Sequence, residues 1–253
     1  MVPLNLTTAI FLLLTYTAGL IFVIGVVLRI YQYATTPQPI KIPLTPAPLT
    51  SGGAFIRILG EVFFFRSLFR SNKWTWIFGY AFHVAFFILI FMHFLRHFVY
   101  VSPLPWWYGI FVGIGIVCGI VMVLALFLLF LRRIIVERVK FISLFADYII
   151  LILLMLIALA GLFLNYVISP TALTVIDKHL GPYVNGILTL QFANIPSSPL
   201  FLIHYSLVLL LIAYIPFSKI MHFVGIFFSP TRIMSDNPLE KRYYKPGAKD
   251  LSI

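Results

Sequence analysis

Five long runs of apolar residues decide what this chain can become. They cover approximately residues 8–30, 74–99, 106–131, 143–168 and 200–223, and each exceeds the ~20 residues that carry a helix across hydrocarbon. In lipid every backbone N–H and C=O must be satisfied within the protein, so such runs become helices packed side by side. The expected fold is an all-α integral membrane bundle of five transmembrane helices, one membrane domain over residues 1–253. Composition agrees, with 62% hydrophobic and 10% charged residues against about 45–50% and 25% in soluble domains. The segments between the runs are too short for a soluble catalytic domain of the usual ~100 residues. The first run lacks the basic start and small-residue cleavage site of a secretory signal and is read as a retained span.

A formal net charge of +11 raises the question of nucleic acid, and the placement of the charge answers it. Sixteen of the 18 Lys and Arg fall at Arg29 and between spans one and two, between spans three and four, or from Lys219 onward. Only Arg96 and Lys178 fall on the other side. By the positive-inside rule the N-terminus lies outside and the C-terminus is cytoplasmic, in a multi-pass protein of the cytoplasmic membrane. The excess charge is an orientation signal, and no nucleic-acid partner is expected. The single cysteine, Cys118, excludes a cysteine-ligated iron–sulfur cluster within this chain, a disulfide and covalently attached haem. Seven scattered acidic residues offer little to a metal–carboxylate site or to a transporter built on buried carboxylates.

Residues 31–73 read as a cytoplasmic segment. A linker rich in proline (Pro37, Pro39, Pro43, Pro46, Pro48) is extended, because proline breaks helices and restricts its predecessor. An amphipathic helix is predicted over 54–69, from the helical spacing of Phe55, Ile58, Leu59, Val62, Phe65 and Phe69. It is either a plain interfacial anchor or a docking surface for a cytoplasmic subunit. Trp74, Trp76, Trp106 and Trp107 suit the headgroup belts. His179 falls in the outer loop after span four and is expected to face solvent. Residues 224–253 form a basic cytoplasmic tail, and Asp147 is expected to pair with a nearby cation.

Against this background four histidines stand out: His83 and His93 in span two, His204 and His222 in span five. An ionisable ring in an apolar span is a functional candidate by default. The two spans run in opposite directions, so His83 and His222 share the inner half and His93 and His204 the outer half. Facing imidazoles at the two ends of a bundle are what two stacked b-type haems need as axial ligands. With about 100° per residue, His204 and His222 share a face while His83 and His93 stand about 80° apart. His97 is closer in phase to His83, at about 40°, and periodicity leaves His93 and His97 as rival outer ligands. A bend at Pro216 absorbs part of the mismatch.

The segments Gly79-Tyr80-Ala81-Phe82-His83 with His93, and His204 with Pro216-Phe217-Ser218-Lys219-Ile220-Met221-His222, resemble the gamma subunit of respiratory nitrate reductase. The likeness extends to Leu28-Arg29, to Leu131-Arg132-Arg133 and to Ala146-Asp147, across all five spans. Phe91-Met92-His93-Phe94-Leu95-Arg96-His97 and Phe227-Phe228-Ser229-Pro230-Thr231-Arg232 are more similar to a sister branch, the cytochrome b subunits of Dsr and heterodisulfide-reductase-like menaquinol-oxidising complexes. The resemblance implies two haems b, the inner held by His83 and His222 and the outer by His93 and His204, with His97 the alternate. It further implies a quinone site near the outer haem, where His97 and Arg96 are the candidates, menaquinone as substrate, and a cytoplasmic iron–sulfur partner subunit. Three alternatives stay open at this point. A nitrate reductase gamma subunit is weakened by the absence here of that family's loop lysine after span two. Electron flow in the reverse direction and a haem-free membrane anchor of a larger complex are the others.

Overall fold

The computed structural model describes residues 3–37, 46–98, 108–167 and 170–236. The middle of the proline-rich linker, residues 99–107 with Trp106 and Trp107, and residues from 237 onward lie outside the described residues. Helix α1 spans Leu6–Thr35, α2 Ser51–Phe64, α3 Arg66–Ser71, α4 Lys73–Phe98 and α5 Tyr108–Ile135. These are followed by α6 (Glu137–Ile142), α7 (Phe145–Val167), α8 (Pro170–Thr189), α9 (Pro199–Tyr214), α10 (His222–Gly225) and α11 (Pro230–Ile233). Among the described residues five helices, α1, α4, α5, α7 and α9, are long and apolar enough to cross a membrane. The fold is that of a multi-pass membrane protein.

The long helices pack in the order α1, α9, α7, α5, α4, with α8 touching α4 and α7. One apolar cluster joins Ala85 of α4, Met122 and Leu126 of α5 and Leu151, Leu154 and Ala158 of α7. A second joins Leu12 of α1, Leu164 of α7, Leu180 and Tyr183 of α8, Ile195 of the segment between α8 and α9, and Phe201 of α9. Helices α4 and α9 are not among the pairs in closest backbone contact, and Leu211 of α9 packs against the cluster that contains Ala85 of α4. Most of the remaining apolar surface is exposed, as a lipid-facing bundle requires.

Three local features differ from the sequence reading. The amphipathic segment expected as one helix over 54–69 breaks at Phe65, which adopts the left-handed conformation at φ 49° and divides α2 from α3. A non-glycine residue there is uncommon, and Phe65 is held by edge-on ring contacts to Tyr80 and His83. The outer segment read as a loop contains α8, whose Tyr183 is buried to 1% exposure; burial pushes its phenol above the ordinary tyrosine range. Span five does not run as one helix to residue 223. Pro216 lacks the N–H that would continue α9, and the chain proceeds as short 3-10 turns at Ile215–Phe217 and Lys219–Met221 before α10 begins at His222.

Helix α1 seals that break. A Cβ on Gly25 would lie 2.5 Å from the Cβ of Pro216, so only glycine lets α1 seat here. One turn further on, Arg29 Nε donates to the Pro216 carbonyl at 3.0 Å, an acceptor the broken helix leaves open. Ser218 Oγ donates to the Ile215 carbonyl at 2.9 Å and accepts from the Ile220 N–H at 3.2 Å.

Candidate functional site

The chain reversal between α4 and α9 brings the four histidines together in two pairs. His83 and His222 have ring centroids 5.9 Å apart with planes at 85°. His93 and His204 have centroids 6.4 Å apart with planes at 22°. Each pair joins a residue of α4 to one from the fifth segment, His204 on α9 and His222 at the start of α10.

All four rings are oriented in the same chemical sense. His83 Nδ1 meets the Gly79 carbonyl at 2.7 Å, His93 Nδ1 the Leu89 carbonyl at 2.7 Å, and His222 Nδ1 the Lys219 carbonyl at 2.9 Å. His204 Nδ1 reaches the Ile157 carbonyl of α7 at 3.0 Å. A carbonyl oxygen only accepts, so each Nδ1 carries the proton and donates. Each Nε2 of the neutral ring therefore keeps its lone pair, the arrangement that prepares an imidazole for a metal.

Local packing explains how each ring is held. Phe65 and Phe82 stand edge-on to His83, at centroid distances of 4.9 and 4.8 Å. A Cβ on Gly161 would lie 3.2 Å from Cε1 of His204, and the missing side chain lets that ring lie along α7. His222 owes its place to the turn at Lys219–Met221. These supports were not visible as motifs; only the Pro216-to-His222 run carried a hint of them. Asp147, expected to find a cation, is buried to 3%. It accepts from Lys219 Nζ at 2.7 Å, with Arg133 at 3.6 Å. The side chains of Arg96, His97 and His179 lie outside the described residues.

Among the described residues no group of three or more His, Cys, Asp or Glu comes together as a metal cluster. The histidines meet in twos, and a pair of facing imidazoles would suit an iron whose other ligands belong to a macrocycle. With imidazole–metal bonds of about 2 Å, two such rings holding one metal would stand roughly 6 Å apart between centroids. Both pairs meet that spacing, so the donor set fits haem b.

A sequence profile of the nitrate reductase gamma subunit matches residues 66–242, a stretch that contains all four histidines. The chain belongs to that family. It is also similar to two proteins named Hdr-like menaquinol oxidoreductase cytochrome b-like subunit. The one from Archaeoglobus profundus is 32% identical over 286 aligned positions, covering 94% of this chain and 82% of the relative. The one from Archaeoglobus fulgidus is 33% identical over 272 positions, covering 91% and 81%. The family match over α3 to α11 encloses both histidine pairs and the Asp147–Lys219 contact.

Proposed function

We propose that this chain is the di-haem cytochrome b subunit of a respiratory oxidoreductase complex, exchanging electrons between menaquinol and a cytoplasmic iron–sulfur partner. The observation that carries the reading is the two facing imidazole pairs, each ring donating Nδ1–H to a carbonyl, which makes Nε2 the nitrogen with the lone pair. The names of both relatives support menaquinol and membership of a multi-subunit complex.

His83 and His222 would hold the inner haem, and His93 and His204 the outer one. Haem b, when bound, supplies two one-electron couples in series across the bilayer. The residues do the rest. The carbonyl bonds fix each ring and raise the basicity of its Nε2. At the outer end His97 would take the hydroxyl proton of the quinol, with Arg96 the second candidate residue of that site. Protons leave on the outer side under the expected topology, N-terminus out and C-terminus in. At the inner end Phe65, at the junction of α2 and α3, touches His83, which makes that cytoplasmic element the favoured contact for the partner subunit.

Acid–acetone extraction of the purified protein should release two haems b per chain, with a reduced-minus-oxidised spectrum of b type. Recovery of one haem or none, or haem that stays attached, overturns the reading and leaves the membrane-anchor alternative.

A further inference from the structure

We propose that Asp147 is a positioning residue for the inner histidine pair, acting on His222 through Lys219; the proposal rests on the di-haem reading above. Asp147 stands in the first turn of α7 with its side chain only 4% exposed. Its Oδ2 accepts from the Leu144 N–H at 3.0 Å and from Lys219 Nζ at 2.7 Å. Arg133 of α5, at 3.6 Å, adds a second cation to the same oxygen. Arg133 is itself tied to Ser143 at 2.9 Å, and its carbonyl accepts from Tyr148 Oη at 3.1 Å. The carboxylate is thus fixed to α5 and α7, away from the strand of chain that carries His222.

Lys219 connects the two. The same residue whose ammonium is pinned by Asp147 presents the carbonyl that receives His222 Nδ1–H at 2.9 Å. That carbonyl belongs to a three-residue 3-10 turn preceded by extended Ser218, at φ −112° and ψ 169°. Short 3-10 turns have poor hydrogen-bond geometry and little stability of their own, so an anchor outside the turn sets where the carbonyl points. The perpendicular setting of the inner rings, 85° against 22° in the outer pair, depends on it.

The test separates positioning from simple charge effects. Asp147→Asn removes an anion and Lys219→Gln removes a cation, so a pure field effect moves the inner haem's midpoint potential in opposite directions. Positioning moves it the same way in both. A weaker Nδ1–H bond makes His222 a poorer electron donor to iron and raises the potential. In both variants the inner component should rise by a tenfold change in oxidised-to-reduced ratio, which is 59 mV for one electron, or be lost. The outer component should stay unchanged, and Lys219→Arg should restore the parental value. The electron paramagnetic resonance signal of the inner haem should also leave the strongly anisotropic type expected of perpendicular ligand planes. Shifts of opposite sign, an unchanged inner component, or a Lys219→Arg protein that behaves like Lys219→Gln overturns the proposal. If Asp147→Asn abolishes both haems, the Lys219 pair decides by the same criteria. A parental chain without haem overturns the di-haem reading itself and this proposal with it.

Discussion

Alanine at Gly25 is the sharpest single perturbation of the fold, because its consequence is worked from one distance. The new Cβ would stand 2.5 Å from Pro216 Cβ and 2.8 Å from its Cγ, where carbon atoms prefer about 3.5–4.0 Å. Roughly an ångström of overlap must be relieved, and the proline ring is too stiff to give. Either α1 withdraws or the break at residues 215–218 shifts. Withdrawal stretches the 3.0 Å bond from Arg29 to the Pro216 carbonyl toward the limit at which it ceases to be one. Overpacking of this kind costs about 1–3 kcal/mol. Expressed at the inner pair, that is roughly a 5- to 100-fold loss of haem affinity, at 1.4 kcal/mol per factor of ten. Potentiometric titration of the haem bands should show one of two components reduced in amount or shifted, with the other intact. Gly19→Ala on the same helix is the control: nothing lies within 4 Å of its added Cβ, and alanine is the better helix former by about 1 kcal/mol. If Gly25→Ala keeps both components at parental potentials and thermal stability, α1 does not clamp the break and the reasoning fails.

Three further outcomes are expected. Gly161→Val should disturb the outer haem and spare the inner one, since even a Cβ meets His204 at 3.2 Å; the per-component haem content is the measurement. His93→Ala should lose the outer haem, whereas His97→Ala should slow quinol oxidation with both haems retained; stopped-flow reduction by a menaquinol analogue, beside the haem count, tells them apart, and a reversed pattern makes His97 the ligand. A protease applied from the cytoplasmic side of oriented vesicles should reach residues 241–253; cleavage only from the outer side inverts the proposed inner and outer assignments.

Much of this was legible before any coordinates. Length and hydropathy mark the five long helices because the bilayer thickness sets their length. The antiparallel logic of spans two and five already pairs His83 with His222 and His93 with His204. Helical phase alone is less informative: it leaned toward His97, yet the structure faces His93 to His204, since ring reach and the irregular fifth segment enter as well. What the sequence could not reveal depends on contacts far apart in the chain. Phe65 has no glycine-like signature and takes a left-handed conformation because Tyr80 and His83 pack against it. Asp147 was expected to find a cation, but Lys219, 72 residues away, becomes its partner only once α7 and the fifth segment lie together. Gly25 and Gly161 look like ordinary glycines of apolar helices until the atoms beside them are known. Helix α8 was hidden by its mixed polarity, which resembles a loop.

The pairing of histidines from the second span with those of the fifth has a consequence for biogenesis. Each histidine pair takes one ring from the second span and one from the fifth, and α1 locks onto the last span at Pro216. On a nascent chain that has released only its first four spans each pair has one ring, His83 or His93, and lacks the other. Under the proposed di-haem reading, cofactor loading would be a post-insertion event, timed by arrival of the final segment. A polypeptide truncated before residue 200 would forfeit both proposed centres at once, while one ending between 204 and 222 would keep only the His93–His204 one. Possession of a haem on His83 and His222 would then be a certificate that synthesis ran past His222 and that the two ends of the chain met.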